Sequence, residues 1–306
     1  MANKTLKDYA GITLRGLAMG AADVVPGVSG GTIAFITGIY EELLATLSSI
    51  RPSLLYVWKD DGLKAAWNKA NLNFLIALIL GIGISVFSLA HLLDWLLINE
   101  PVLLWSFFFG LVLASVFFVG RQVSKWTAGA VISLMIGATV AWFITSLPPM
   151  KNEATNLFIF LCGMVAICAM ILPGISGSFI LLILGAYEMI IKAVKEFDVT
   201  KILIFGAGCV VGILSFSHLL NWMFKKHKNI TIALLTGFLL GSLQKLWPWQ
   251  IKLQLLHVKS TGDEVHLMGN VLPQDFIGDP QLMMTIICFV IGFGIIFALE
   301  RIAKSL

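Results

Sequence analysis

Charge is what this sequence has least of. Only 12% of its 306 residues are Asp, Glu, Lys or Arg, about half the share found in an ordinary soluble domain. A chain so poor in charge cannot give a globule a hydrated surface, so a soluble fold is excluded. Cysteine is scarce as well. Cys162, Cys168, Cys209 and Cys288 fall in apolar stretches without metal-type spacing, which leaves them as small packing residues and predicts no metal or other cofactor. No Gly-Lys-Ser/Thr follows the glycine-rich stretches, so a nucleotide-binding loop is not indicated. The N-terminus, MANKTLKDYAG, lacks the apolar core and small-residue cleavage site of a secretory signal. A net charge of +4 gives no support to nucleic-acid binding.

What fills the chain instead is apolar residue: 58% hydrophobic, with a mean hydropathy of +0.92. Several continuous runs of about 18 or more apolar residues define an all-α polytopic membrane protein. A β-barrel would alternate polar and apolar residues in short strands, which these runs do not.

Within this background one phrase is written twice. Residues 25–44 read VPGVSGGTIAFITGIYEELL and residues 172–191 read LPGISGSFILLILGAYEMII. Pro26, Gly27, Ser29, Gly30, Gly38, Tyr40 and Glu41 recur as Pro173, Gly174, Ser176, Gly177, Gly185, Tyr187 and Glu188, each 147 residues further on. A second match aligns GIGISVFSLAHLLDWLL (81–97) with GCVVGILSFSHLLNWMF (208–224), and in that register Gly110 and Ser115 fall opposite Gly237 and Ser242. Duplication across most of the chain follows, with a boundary near Pro148-Pro149: residues 1–148 form one repeat and 149–306 the other, within one transmembrane domain.

Each repeat opens on a broken pair of arms. Residues 8–24 carry Asp8, Arg15 and Asp23, a combination too costly for a lipid-exposed helix, so this arm is buried against protein or does not cross. Pro26-Gly27 ends it, and the next arm meets Glu41 and Glu42 after only about 22 Å of helix, short of the hydrocarbon thickness of about 30 Å. This predicts a re-entrant hairpin over about 8–50 and, by repetition, another over about 155–194. The polar connection 51–71 precedes spans at about 72–97, 101–120 and 126–147; the second repeat has spans at about 201–224, 229–247 and 281–303. Each half then has an odd number of crossings, so the two are inverted relative to one another. Counting arms as full spans keeps the number odd but would send the two motif copies to opposite faces. Re-entrant arms bring both tips toward the midplane.

Loop charge orients the chain. With Lys4 and Lys7 cytoplasmic, Arg121/Lys125, Lys225-Lys226-His227-Lys228 and Arg301/Lys304 also fall inside, as do both termini; Lys192, Lys195 and Lys201 are the exception. Trp58, Trp95, Trp126, Trp142, Trp222, Trp247 and Trp249 stand near span ends as interfacial anchors. The extracytoplasmic insertion 248–280 alternates like a short β-hairpin around Thr261-Gly262-Asp263.

The doubled motif carries the chemistry. Pro26-Gly27 and Pro173-Gly174 break an incoming helix and start another, creating a half-helix N-terminus with unpaired N–H groups and the positive end of the dipole at membrane depth. Ser29, Gly30, Gly31 and Thr32 in one copy, and Ser176, Gly177 and Ser178 in the other, suit an anion and above all a phosphate. The competing reading is that glycine and serine serve close helix packing. Asp23 and Arg15 have no counterparts in the second copy, and Arg15 is the candidate cation for a phosphate, with a buried Arg15–carboxylate pair as its alternative. Glu41 and Glu188 are candidate ion or proton sites, or hydrated arm ends. His91 and His218, with Asp94 and Asn221 three residues on, read as packing or interhelical hydrogen bonding, because a metal or catalytic pair would want two acids.

The motif pair resembles the bacterial undecaprenyl-phosphate translocases: A-D-V-V-P-G-V-S-G-G-T followed by G-I-Y-E, then L-P-G-I-S-G-S followed by G-A-Y-E. The resemblance covers nearly the whole chain and implies a transporter, not an enzyme. Its expected work is to return the polyprenyl monophosphate carrier from the outer to the inner leaflet of the cytoplasmic (inner) membrane for cell-wall and surface-polymer synthesis. Asp23, Pro26, Gly27, Ser29, Gly30, Gly31 and Glu41, then Pro173, Gly174, Ser176, Gly177 and Glu188, match its motifs. Alternating access would rock one inverted half against the other, with Gly110, Gly137, Gly237 and Gly292 easing helix sliding. A small-anion transporter or channel on the same scaffold is the alternative; an intramembrane lipid phosphatase lacks a positioned nucleophile and acid/base pair.

Overall fold

The computed structural model describes residues 4–24, 28–148, 155–258 and 264–305. Pro26 and Gly27, the boundary residue Pro149 and the hairpin tip Thr261-Gly262-Asp263 lie outside the described residues, as do the side chains of His91 and Asp94. The first half comprises α1 (Leu6–Val24), α2 (Gly30–Ile36), α3 (Tyr40–Ser49), α4 (Leu54–Asp61), α5 (Leu63–Lys69), α6 (Leu72–Asn99), α7 (Pro101–Gly120) and α8 (Ala128–Ser146). The second comprises α9 (Asn156–Ile171), α10 (Gly177–Ile183), α11 (Tyr187–Lys195), α12 (Val199–Ser242), strands β1 (Gln250–Val258) and β2 (Glu264–Asn270), and α13 (Leu282–Ser305).

Long apolar helices dominate. Residues 72–89 of α6, together with α7, α8 and α12, are long and apolar enough to cross a membrane, and the bent pair α10–α11 would make a fifth candidate. Their outward faces expose Phe87, Phe117, Ile132, Phe143 and Leu203, side chains that only lipid would accommodate in such numbers. The chain is a multi-pass helical membrane protein.

Several expectations change in detail. The arm after each Pro-Gly break is two helices, not one. Gly38 (φ +76°) separates α2 from α3, and Gly185 (φ +70°) separates α10 from α11, which meet at 109°. Only glycine enters that left-handed conformation without steric cost. The connection 51–71 is not simply polar: α4 and α5 expose Leu55, Tyr56, Trp58 and Leu63 and line an apolar groove with Ile50 and Leu72.

The cytoplasmic loop expected at Lys225–Lys228 is instead a one-residue corner inside α12, where His227 alone leaves helical geometry (φ −136°, ψ 48°). The corner divides the 44-residue α12 into a long arm, 199–226, of about 42 Å and a short arm, 228–242, of about 22 Å. Glu100, between α6 and α7, takes nearly the same conformation (φ −133°, ψ 48°). Pro101 at the start of α7 makes that corner a clean helix break, whereas Lys228 allows the helical hydrogen bonds to run on. Tryptophan roles divide too. Trp58, Trp95, Trp126, Trp142 and Trp222 are about half exposed, but the indole N–H groups of Trp247 and Trp249 donate to Val271 O (2.8 Å) and Pro280 O (3.0 Å) and tie down the base of the antiparallel β1–β2 hairpin.

Helices pack backbone to backbone through reciprocal glycines. A Cβ on Gly16 of α1 would stand 2.3 Å from Leu78 O, and one on Gly81 of α6 2.0 Å from Thr13 O; Gly163 and Gly208 form the corresponding seat between α9 and α12. Gly110 of α7 and Gly292 of α13 abut Phe289 O and Phe107 O, and Gly137 of α8 and Gly237 of α12 abut Leu234 O and Leu134 O. Such small-residue contacts are how apolar helices adhere where no hydrophobic effect separates protein from lipid.

A contrast on α13 tests this packing. Gly292→Ala puts a methyl group 2.0 Å from Phe107 O, whereas a methyl at Gly294 meets open space. Thermal unfolding in detergent is expected to show Gly292→Ala destabilised by about 1–3 kcal/mol and Gly294→Ala unchanged or slightly stabilised.

Candidate functional site

A helix that stops inside a protein leaves its last carbonyls without intrahelical partners. At the end of α9 these include Met170, Ile171 and Leu172, and two hydroxyls of the first motif copy serve them. The Ser29 hydroxyl lies within hydrogen-bonding distance of Met170 O (3.1 Å) and Leu172 O (3.0 Å), and the Tyr40 hydroxyl donates to Ile171 O (3.0 Å). In return, Gly174 N donates to Thr32 Oγ1 (3.0 Å). Ser29 and Thr32 are fully buried and Ser176 is 4% exposed. The structure therefore brings the two copies into direct contact.

Glycine permits the approach. A Cβ on Gly31 would lie 2.4 Å from Ile171 O, and one on Gly174 (φ +90°) 2.8 Å from Ser242 Oγ. Ser29 also caps its own helix, accepting from Gly31 N at 3.1 Å. Ser176 makes no such cap; its hydroxyl pairs with that of Ser178 at 2.8 Å.

The copies differ most at one position. Asp23 Oδ1 accepts from Gly30 N at 2.7 Å, so a carboxylate already sits on the first turn of α2, where the helix dipole favours negative charge. The residue 147 positions on is Met170, whose Cγ takes the equivalent place beside Gly177. At α10 the N-cap Ser176 makes no side-chain cap, and no side chain among the described residues accepts from the first-turn amides. The first copy carries its own anion and the second does not.

The remaining predicted residues lie away from this contact. Arg15 is half-buried on α1, about two turns before Asp23, and makes no hydrogen bond or ion pair with any described residue. Glu41 is half-exposed and paired with Lys228 at 2.7 Å, next to the His227 corner. Glu188 holds the equivalent place at the start of α11. His218 bonds Leu214 O through Nδ1 and receives Arg51 Nε at Nε2, while Asn221 Nδ2 donates to Ser48 Oγ (2.6 Å), so this pair serves interhelical hydrogen bonding.

Three residues were not singled out from the sequence. Tyr40 was visible as a repeat identity, but its reach to α9 was not. Ser85 on α6 carries a buried hydroxyl without a partner among the described residues, beside Gly20 of α1. Lys245 follows α12 and lies over the ring of Phe179, 5.0 Å from its centroid.

If the contact between copies holds the site together, Thr32→Val should leave Gly174 N buried without an acceptor. The expected loss is about 1–3 kcal/mol of stability, read as a lowered unfolding temperature in detergent, with Thr32→Ser close to the parent.

Comparison with known proteins now bears on this geometry. A family model described as VCA0040-like, undecaprenyl phosphate translocase-like, matches residues 19–265 and so includes both motif copies. A protein of Vibrio cholerae named polyprenyl-phosphate transporter is 46% identical over 310 residues, covering 100% of each chain. One of the same name from Staphylococcus aureus is 30% identical over 253 residues, covering 77% of this chain and 85% of its own. No solved structure matches. These names describe transport and not catalysis, and the chain is a transporter rather than an enzyme. It belongs to the VCA0040-like, undecaprenyl phosphate translocase-like family.

Proposed function

We propose that the protein carries undecaprenyl phosphate from the outer to the inner leaflet of the bacterial cytoplasmic membrane, returning the carrier lipid for reuse. The observation that carries this reading is the contact between the two motif copies, in which Ser29 and Thr32 reach the backbone of residues 170–174. Two helix breaks in hydrogen-bonding contact share one depth, which supports re-entrant tips in inverted halves and argues against motifs on opposite faces. Repeats 1–148 and 149–306 are the two moving parts, and both termini face the cytoplasm.

A phosphate cannot cross hydrocarbon unaided, because its charge would lose hydration without compensation. The proposed path takes the headgroup between the halves while the isoprenoid tail stays in lipid. Ser176, Gly177 and Ser178 are its first contacts, since the amides of α10 have no internal carboxylate competing for them. Ser29, Gly30, Gly31 and Thr32 join when the halves rock apart and their hydrogen bonds to α9 open. Asp23 then yields Gly30 N to the ligand, and Arg15 supplies positive charge from α1. Pro26-Gly27 and Pro173-Gly174 are the hinges. Glu41, paired with Lys228, and Glu188 are the proposed ion-coupling carboxylates. Binding energy spent equally on both orientations would trap the lipid, so the hydrogen bonds re-formed between copies help release it.

Proteoliposomes carrying polyprenyl phosphate and treated with an impermeant phosphatase test the reading. The protein should expose inner-leaflet lipid to the enzyme faster than empty liposomes do. Ser176→Ala with Ser178→Ala should slow this about tenfold or more, as loss of charge-assisted hydrogen bonds would. Rates equal to the parent would return the motif to a packing role. Uptake of inorganic phosphate without lipid movement would favour the small-anion alternative.

A further inference from the structure

A second polar site lies beside the second motif copy, outside the motif itself. Lys245 sits in the short 3-10 turn Leu243–Leu246 that ends α12, immediately before the β1–β2 hairpin. With Thr145, Ser146, Gln244, Gln250 and Asn270 it lines an open pocket of about 290 Å³. A network of amides shapes the wall. Gln244 Nε2, with two N–H groups, lies within hydrogen-bonding distance of Thr145 Oγ1 (2.7 Å), Ser146 Oγ (2.9 Å) and Trp142 O (2.8 Å), Asn270 Nδ2 donates to Gln244 O (2.8 Å), and Gln250 Nε2 donates to Lys245 O (3.1 Å).

None of those bonds gives the lysine's charge a counter-ion among the described residues. Lys245 is half-buried, yet its ammonium makes no hydrogen bond or ion pair with any described residue, and no described carboxylate lines the pocket. Its neighbour is the face of Phe179, which stabilises a cation weakly and leaves its N–H donors unused. Withdrawing an ammonium from water without a partner is unfavourable, and such a group is ready for an anionic ligand that brings the missing charge. Phe179 follows Ser178 directly on α10, so the pocket borders the motif copy that lacks an internal carboxylate.

We infer that the Lys245 pocket is a binding site for a phosphate monoester, receiving it on the extracytoplasmic side before it passes to Ser176–Ser178. The role as a reception site rests on the proposed lipid transport; the anion-binding chemistry does not. Lys245 supplies the charge, and the hydroxyls of Thr145 and Ser146 and the amides of Gln244 and Asn270 form a polar rim that tolerates a hydrated headgroup. Hairpin β1–β2 contributes Gln250 and Asn270, which gives this insertion a part in binding.

Binding and transport together decide the matter. Affinity for polyprenyl phosphate, and separately for inorganic phosphate, is measured on the full chain in nanodiscs with Lys245 as parent, Lys245→Met and Lys245→Arg. Lys245→Met keeps an apolar stem over Phe179, and matched unfolding temperatures would establish that both variants fold. The expected result is about tenfold or greater weakening in Lys245→Met with recovery in Lys245→Arg. Equal affinity across the three overturns the site. Inorganic phosphate bound as tightly as the lipid keeps the anion chemistry but overturns the lipid as its source. In proteoliposomes, Lys245→Met should raise the lipid concentration needed for half-maximal outside-to-inside transport while leaving the saturated rate near parent. Parent protein that binds phosphate through Lys245 yet moves no lipid would sink the transport reading alone; transport and binding both indifferent to Lys245 would sink the pocket alone.

Discussion

Three carbonyl groups at the end of α9 constrain the rest of the molecule. Met170, Ile171 and Leu172 end a helix within the protein, where an unpaired backbone oxygen has no water to turn to. Their partners come from far away in sequence: the hydroxyls of Ser29 and Tyr40. Meeting that demand requires the first Pro-Gly break to lie against the second. It also requires glycine at position 31, because any side chain there would collide with Ile171 O. The serine of the motif thus has a structural duty in this conformation, and any ligand role must compete with it. Under the proposed alternating access, a contact that opens for substrate and closes for release is a suitable basis for a two-state device, provided the two states differ by only a few kcal/mol.

Around that contact the scaffold repeats itself through backbone devices more than side chains. Gly38 and Gly185 turn the chain at matching places, and Glu100 and His227 make the same corner. The Gly16–Gly81 seat between α1 and α6 has its counterpart in Gly163 and Gly208 between α9 and α12. Side chains at these points are free to diverge, as Pro101 and Lys228 do after the two corners. Glycine stands at both of these seats, where the missing Cβ is what makes the backbone contact possible.

This explains which features could be read from the sequence. Long apolar runs specify helices of spanning length whatever their partners, so α6, α7, α8 and α13 begin and end close to where hydropathy places them. The β1–β2 hairpin was legible for a similar reason, since alternation is a local signal. Corners were not. His227 is a single residue out of helical geometry amid lysines that read as a loop, and Gly38 lies in an apolar stretch that reads as one arm. Both depend on tertiary packing that holds a local break in place. At the candidate site, the identities of Ser29, Gly31, Thr32 and Gly174 stood out through repetition, but the contacts between copies span more than 140 residues of sequence. No pattern within one copy encodes them. Lys245 escaped notice because it has no repeat partner and follows a helix end, where a lysine is ordinarily a hydrated anchor.

Asymmetry is the last feature the duplication has to accommodate. A symmetric pair of helix N-termini would present two equal positive ends to a single phosphate, and a ligand bound equally by both has no preferred place. Asp23 removes that degeneracy at the first copy by occupying Gly30 N itself, whereas Met170 leaves the corresponding place at Gly177 without charge. The internal carboxylate does two things at once. It satisfies a helix-end amide that would otherwise lack a partner, and a carboxylate there raises the cost of placing a second anion beside it. In the proposed transport cycle this favours the second copy, next to Lys245, as the first stop for an incoming phosphate, with the first copy reached when the halves separate. In the proposed cycle, the exchange of Asp23 for Met170 between two similar motif copies gives a repeated scaffold an order of events.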